Sequence, residues 1–320
     1  MKMYQNDPKG LKMRVYSTIN YSSSTPCVVA LGCFDGVHLG HKTVIEQALD
    51  IAKRSNCDCA VWTFDEPPKN YFLSRAVPLI TDAAQKRKLI AKLGVDKFIS
   101  VPFTKETAKI SAEDFFFDIL KKRIKAIHIV CGFNYSFGSG GKGNVDLLRR
   151  LCEETNTGLT VLSPVSVSGV TVSSSSIRDA LLSGDPETAA RLLGRPFSLK
   201  TIVISGQRLA RKLGFPTVNQ EFSSGGLVPQ YGVYATRVYI SNRKKPYYGI
   251  TNVGIRPTVG GTAVFAETHI FELSENLYGK AVKVEFLHFI RDEQKFDGLE
   301  ALTAQVNKDI ESAKKYISEL

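Results

Sequence analysis

The chain has 320 residues, 43% of them hydrophobic, and carries 42 basic against 31 acidic side chains for a net charge of +11. Length predicts two domains and composition a folded globular protein, which excludes a largely disordered chain; no apolar run is long enough to predict a membrane span. Six cysteines, all between Cys27 and Cys152, show no disulfide framework, and the first residues lack a signal-peptide core, so a reduced, cytoplasmic protein is expected.

The excess charge is even, +6 over residues 1–186 and +5 over residues 187–320. Such a balance suits anionic small ligands. No basic stripe or stacking surface is evident, so neither nucleic acid nor membrane is expected as a partner. The densest basic run, Lys121-Lys122-Arg123-Ile124-Lys125, follows an apolar helical segment and reads as a solvated helix end.

The first informative stretch is Gly32-Cys33-Phe34-Asp35-Gly36-Val37-His38-Leu39-Gly40-His41, directly after the apolar run Cys27–Leu31. That order predicts a strand, a glycine turn and a helix beginning near Gly40. A helix start offers unpaired N–H groups and the positive end of a dipole, a setting that binds phosphate, with His38 and His41 as added donors. A zinc site fails on ligand count, because no nearby Cys or His pair completes a tetrahedral set.

Beyond this turn, strand-like runs at Cys59–Phe64, Lys97–Phe103, Ala126–Gly132 and Leu159–Val165 alternate with helical patterns at Thr81–Leu93, Ser111–Lys125 and Asn144–Glu154. Such alternation predicts a parallel sheet with helices on both faces and ligands at the carboxyl ends of its strands. The 32–41 turn, Phe64-Asp65-Glu66-Pro67-Pro68 and Gly132–Gly138 all fall on that rim. Further on, Val172-Ser173-Ser174-Ser175-Ser176-Ile177-Arg178 predicts a hydroxyl-capped helix start with Arg178 able to clamp phosphate; an ordinary capped serine loop fits the same residues.

Past Gly184-Asp185-Pro186 the period changes. Strand-like stretches run Leu199–Ser205, Gly232–Ile240, Tyr247–Val253, Val264–Leu273 and Ala281–Ile290, punctuated by Gly and Pro. This predicts a small antiparallel barrel or sandwich, closed by a C-terminal helix with Leu299, Leu302, Val306, Ile310 and Ile317 on one face. Within it, Leu213–Asn219 reads as a rigid Pro-Thr turn after the basic stretch Gly206–Lys212. Thr217 and Asn219 alternate and offer oxygen ligands suited to Mg²⁺, although a plain capped turn fits them too. Glu267 stands in an otherwise apolar strand, either facing solvent or serving as a base.

In its first half the chain resembles the nucleotidylyltransferase superfamily, and more closely the adenylyltransferase half of the bifunctional riboflavin kinase/FAD synthetase family. The likeness rests on Gly32, Phe34, Asp35, Gly36, Val37, His38, Gly40 and His41, on Ser173, Ser174, Ile177 and Arg178, and on Asn134, Phe137 and Gly138. Ser175 stands where that family usually has Thr, Cys33 where it has Asn, and Lys142 where Arg is frequent; the Asp65–Pro68 stretch lacks its common His. Leu213–Asn219, Asn252–Thr258, Glu267–Ile270, Leu277-Tyr278-Gly279, Arg291-Asp292-Glu293 and Lys295-Phe296 resemble the riboflavin kinase half, with Ala210 where Gly is usual.

The resemblance implies a Rossmann-like α/β adenylyltransferase domain over residues 1–186 and a riboflavin kinase domain, a six-stranded antiparallel barrel with a C-terminal helix, over residues 187–320. It implies that riboflavin and ATP give FMN, and that FMN and ATP give FAD and pyrophosphate, with Mg²⁺ as the metal. Implied catalytic residues are Glu267 as base, His38 and His41 at the ATP phosphates, and Arg178 at the departing pyrophosphate. Gly32, Phe34, Asp35, Gly40, Ser174, Ser175, Gly206, Gly214, Thr217 and Asn219 are implied ATP contacts. Asp65, Asn134, Phe137 and Arg291 are implied flavin contacts, and Thr217 and Asn219 metal ligands. A riboflavin kinase with weak or lost adenylyltransferase activity is the alternative left open by the departures in the first half.

Overall fold

Six segments of the first half pair in parallel, in the order β1-β4-β3-β2-β5-β6, in the computed structural model, which describes residues 13–73, 76–204, 214–258, 261–273 and 275–320. The strands are β1 (Arg14–Tyr16), β2 (Cys27–Leu31), β3 (Asp58–Phe64), β4 (Lys97–Val101), β5 (Ala126–Gly132) and β6 (Gly158–Leu162). The chain divides into two units, Met1–Ser173 and Ser174–Leu320.

Both faces of the first sheet are covered, so its strands read as continuous apolar runs. On one face Val28, Ala30, Val61 and Phe98 pack on α1 (Leu39–Arg54) and, after the short α2 (Lys69–Phe72), on α3 (Ala83–Ala91) through Val44, Ile45, Ala48 and Ile90. On the other face Val29, Leu31, Trp62 and Ile99 meet Phe115, Phe116, Ile119 and Leu120, and also Leu148 and Leu151 of α5 (Val145–Glu154). Trp62 and Phe115 meet edge to face at 4.8 Å, a contact worth about 1 kcal/mol beyond the area it buries.

The strand order reverses at the central β2, which pairs in parallel with β3 on one side and with β5 on the other. In open α/β sheets that crevice is where ligands bind, and the 32–41 turn leaves β2 there.

Two elements of this unit differ from the sequence reading. The helix expected over 111–125 is α4 (Ala112–Asp114) continued by a π-helical stretch, Phe115–Arg123, with Ile124 N bonded to Ile119 O at 2.9 Å. Apolar spacing does not separate an α-helix from a π-helix that buries the same face. Strand β1, absent from the sequence reading, adds an edge strand beside β4. At that end Lys97 is 1% exposed, and its Nζ meets Ser23 Oγ at 2.7 Å and Asp58 Oδ2 at 2.8 Å.

After the small hairpin β7 (Ser166–Val167) and β8 (Val170–Thr171), the second unit opens with α6 (Ser174–Leu182) and α7 (Pro186–Leu193), the latter capped by Asp185. Six antiparallel strands follow: β9 (Phe197–Ile202), β10 (Thr217–Glu221), β11 (Gly232–Ile240), β12 (Tyr247–Thr258), β13 (Gly261–Ile270) and β14 (Ala281–Arg291), in the order β10-β13-β12-β11-β14-β9. The two ends of this sheet meet. Ile204 N donates to Asn219 O at 2.9 Å, and the fully buried Gln220 amide donates to Thr201 O and to Val282 O at 2.9 Å. Closure removes exposed strand edges.

Strand β10 falls where the sequence predicted a turn. Its inward residue is the hydrogen-bonded Gln220 rather than an apolar side chain, so it shows no hydrophobic alternation. The C-terminal helix α8 (Leu299–Ser318) lays Val306, Ile310, Ala313, Tyr316 and Ile317 on Val233, Ala235 and Ile250. Leu299, expected on that face, is 54% exposed in the first turn.

Candidate functional sites

The 32–41 turn is held under strain. Phe34 and Val37 have φ of 52° and 41°, and Gly36 has 84°. For the two side-chain-bearing residues such backbone costs of order 1–3 kcal/mol each and persists only where neighbours fix it. The neighbours are identifiable. The buried Asp35 carboxylate accepts from Ile80 N at 3.0 Å and Thr81 N at 3.2 Å, and Gly36 N donates to Thr81 Oγ1 at 3.0 Å. Thr63 Oγ1 donates to Cys33 O at 3.1 Å.

The turn delivers His38 as the N-cap of α1, which begins at Leu39, next to the start expected near Gly40. Its Nδ1 accepts from His41 N at 3.2 Å, which in the neutral ring places the proton on Nε2. The imidazoles of His38 and His41 stack at 3.5 Å, and the Phe34 ring stands edge-on to His41 at 5.2 Å. A Cβ at Gly40 would lie 3.3 Å from the His38 ring, and one at Gly32 3.0 Å from the Phe34 ring, so both glycines permit this close stack. No acidic residue occupies the first turn of α1, while Lys53 and Arg54 occupy its last. The N-terminal end therefore keeps its positive field, and the arrangement suits an anion with several oxygens.

Asp65 at the end of β3 accepts from Ser100 Oγ, and Asn134 stands exposed after β5 on the same rim. Phe137 is 6% exposed and packs near Phe115 and Tyr135, so it supports the loop from within the core rather than lining the rim. Arg178 is buried in the second turn of α6, and Ser174 and Ser175 open that helix.

The barrel site is a matter of strand register. Asn219 pairs with Glu267 across β10 and β13, and Glu267 pairs with Asn252 across β13 and β12. Residues paired in register, and those two apart along a strand, share a face, so Thr217, Asn219, Asn252 and Glu267 lie on one side. Arg256, four residues beyond Asn252, forms an ion pair with Glu267 and donates from Nη1 to Asn219 Oδ1 at 3.2 Å. Partial burial pulls the Arg256 guanidinium below its ordinary value. The opposite face of the same strands carries a buried hydroxyl chain: Thr236 to Thr251 and Thr251 to Thr268, each at 2.9 Å.

Gly214 has φ 88° just before β10, and Gly206 lies outside the described residues, as do Arg208, Ala210, Arg211 and Lys212. Arg291 grips Asp309 of α8 with two bonds, at 2.9 and 2.7 Å, and its guanidinium lies 5.7 Å from the Phe296 ring centre. It thereby ties the end of β14 to the last helix. Asn252 Nδ2 donates to Glu293 Oε1 at 3.2 Å, which brings the 291–296 segment to the Glu267 face.

Sequence reasoning passed over Arg256 and Lys86. Lys86 is 4% exposed and donates to Phe64 O at 2.9 Å, Asp65 O at 3.1 Å and Cys33 O at 3.5 Å. The run Gln85-Lys86-Arg87-Lys88 reads as a solvated helix face. The usable signal was spacing, since Lys86 lies four residues before the buried Ile90 and so on its face.

Comparison with known proteins agrees with both halves. The FAD synthetase family model matches residues 20–176, and the riboflavin kinase model matches residues 193–317. The bifunctional riboflavin kinase/FMN adenylyltransferase of Bacillus subtilis is 36% identical over 92% of this chain and 93% of its own. Its counterpart in Escherichia coli K12 is 32% identical over 95% and 98%. A Streptococcus pneumoniae crystal structure described as a macrolide-efflux protein superposes with a TM-score of 0.85 at 29% identity, covering 95% of this chain and 99% of that one. Among the described residues no helix is long and apolar enough to cross a membrane. With a family model on each half and relatives above 30% identity along nearly the whole length, the chain belongs to the bifunctional riboflavin kinase/FMN adenylyltransferase family.

Proposed function

We propose that the chain makes FAD in two steps: ATP phosphorylates riboflavin to FMN at the barrel, and a second ATP adenylylates FMN at the His38–His41 turn, releasing pyrophosphate. The corresponding functional domains are residues 187–320 and 1–186, and a cytoplasmic enzyme fits the unpaired cysteines.

One observation carries the division of labour. Glu267 stands in the same row as Asn219 and Asn252, whereas Asp35, the acidic residue of the 32–41 turn, spends its carboxylate on Ile80 and Thr81. A neutral ribityl hydroxyl gains from proton removal as it attacks the γ-phosphate, and Glu267 is placed to accept that proton. An FMN phosphate is already anionic and needs no base. Its site must align and neutralise charge, which the α1 N-terminus, His38 and His41 do.

Arg178, Ser174 and Ser175 are assigned to the phosphates by the sequence motif alone. Asp65 and Asn134 are assigned to the flavin side, as is Arg291 in the barrel, where it acts through the segment it anchors. The hydroxyl and amide oxygens of Thr217 and Asn219 are hard donors that suit Mg²⁺, an ion that takes few protein ligands and completes its shell with phosphate and water. When bound there it neutralises phosphate charge. In the structure Arg256 donates to the same Asn219 oxygen.

Position 33 is tied into the turn through its backbone. The Cys33 carbonyl accepts from Thr63 and Lys86, while the thiol-bearing side chain is exposed. The Asn-to-Cys departure therefore leaves the scaffold of the adenylyl site in place. Incubating the purified protein with riboflavin, excess ATP and Mg²⁺ tests the reading: FMN should appear first and FAD follow. FMN accumulating without FAD would reject the second step.

A further inference from the structure

Lys86 is the deepest cation near the rim that the two-step reading leaves without a role. An ammonium has three donors, and here three backbone carbonyls take them: Phe64 O and Asp65 O at the end of β3, and Cys33 O in the turn after β2. With its donors spent, it is not placed to grip a phosphate. What it does is join two loops that leave neighbouring parallel strands. One loop carries His38 and His41, and the other carries Asp65.

We propose that Lys86 is a positioning residue for adenylyl transfer, its buried ammonium fixing the β2–α1 turn against the end of β3 so that the phosphate cradle and the flavin side keep one geometry.

Three further facts point the same way. The turn is held from α3 and its approach at two other points, by Asp35 on Ile80 and Thr81 and by Gly36 on Thr81. Thr63 of β3 also holds the turn, through Cys33 O, and Lys86 extends that link to Phe64 O and Asp65 O at the end of the strand. Its aliphatic stem lies on the same buried helix face as Ile90, so the head group has little freedom to move. Burial pulls the ammonium below its ordinary value, against the push of Asp35, Asp65 and Glu66, and its three carbonyl acceptors are those an ammonium, with three donors, satisfies in full.

The inference rests on the assignment of the 32–41 turn to ATP, and the experiment separates the two. Steady-state FAD formation from FMN and ATP is measured for Lys86→Met, Lys86→Arg and His41→Ala, with FMN formation from riboflavin as an internal control and thermal unfolding followed for each protein. A misplacement of this kind should lower kcat for FAD formation in Lys86→Met by about 100-fold, with KM for both substrates changed far less and FMN formation unchanged. Lys86→Arg keeps the charge and donates to carbonyls, and should recover about tenfold of that loss. Wild-type kcat and KM in Lys86→Met would overturn the proposal. So would equal losses in both Lys86 variants that track a lowered unfolding temperature, which would make the residue a fold-holding one only. Unimpaired FAD formation in His41→Ala would instead remove the phosphate assignment itself.

Discussion

The front site is made largely of backbone. A strained turn, a helix N-terminus and two stacked imidazoles occupy ten consecutive residues, and their geometry is fixed by what grips the turn from β3 and α3. The barrel site is made of side chains brought together by strand register, from β10, β12 and β13, with no two of its principal groups closer than two positions in sequence. The first kind of site holds charge that a substrate already carries, because N–H groups and dipoles need no titration. The second kind creates charge, because only a side chain can take a proton.

The largest expected effect breaks this contrast at the barrel. Glu267→Gln keeps the shape and an acceptor for Arg256 but removes the carboxylate proposed as base. FMN formation should fall about 10³-fold while riboflavin still binds, as read by flavin fluorescence titration. Unchanged turnover would take Glu267 out of its role. At the front the effect should be smaller, because several groups share the work. His41→Ala should lower FAD formation about 100-fold and spare FMN formation. Loss of both activities together would contradict two separate sites.

The same contrast explains what the sequence disclosed. The parallel sheet was legible because both faces are covered and its strands are plain apolar runs. The 32–41 motif was legible because it is contiguous. The barrel row was harder. Thr217 and Asn219 read as a turn, since β10 turns a hydrogen-bonded glutamine inward where an apolar residue would have marked a strand. Phe137, expected at the flavin, is buried beside Phe115 and Tyr135, and an aromatic residue in a glycine-rich loop carries no mark of how deeply it packs. Lys86 was hidden because a buried ammonium satisfied by carbonyls leaves no trace in composition. Arg256 was quoted within its motif, but its grip on both Glu267 and Asn219 arises only from register.

A stability measurement sharpens the comparison on the barrel side. Thr251 is the middle of the buried hydroxyl chain, bonded to Thr236 and Thr268. Thr251→Val keeps the branched shape but takes the Thr251 partner from the buried Thr268 hydroxyl, while Thr236 keeps its donation to Gly249 O, for an expected cost of about 1–3 kcal/mol to the second unit. Urea unfolding read by circular dichroism should show it. Trp62, the single tryptophan in the chain, lies in β3 of the other unit and should report no change.

That tryptophan also isolates the smallest effect. Partial burial pushes the Asp58 carboxyl up, but bonds from Lys97 and Arg14 outweigh it and hold it below its ordinary value of 3.8. A carboxyl with a lowered folded pKa contributes stability that is fully present above the unfolded value and is lost as pH falls through the folded one. Lys97 is displaced upward by the same contact, despite its burial, so its contribution is present below its ordinary 10.5 and is lost only above it. Between these limits the pair should leave stability flat. Below about pH 4 the Trp62 unfolding transition of the wild type should move to lower temperature. Asp58→Asn should start lower at neutral pH and show a shallower fall in the acid window, because it has no proton to gain there. Parallel acid profiles for the two proteins would mean that Asp58 titrates as an ordinary surface carboxylate, and that Lys97 is held in place by Ser23, Thr25 and Cys27 alone.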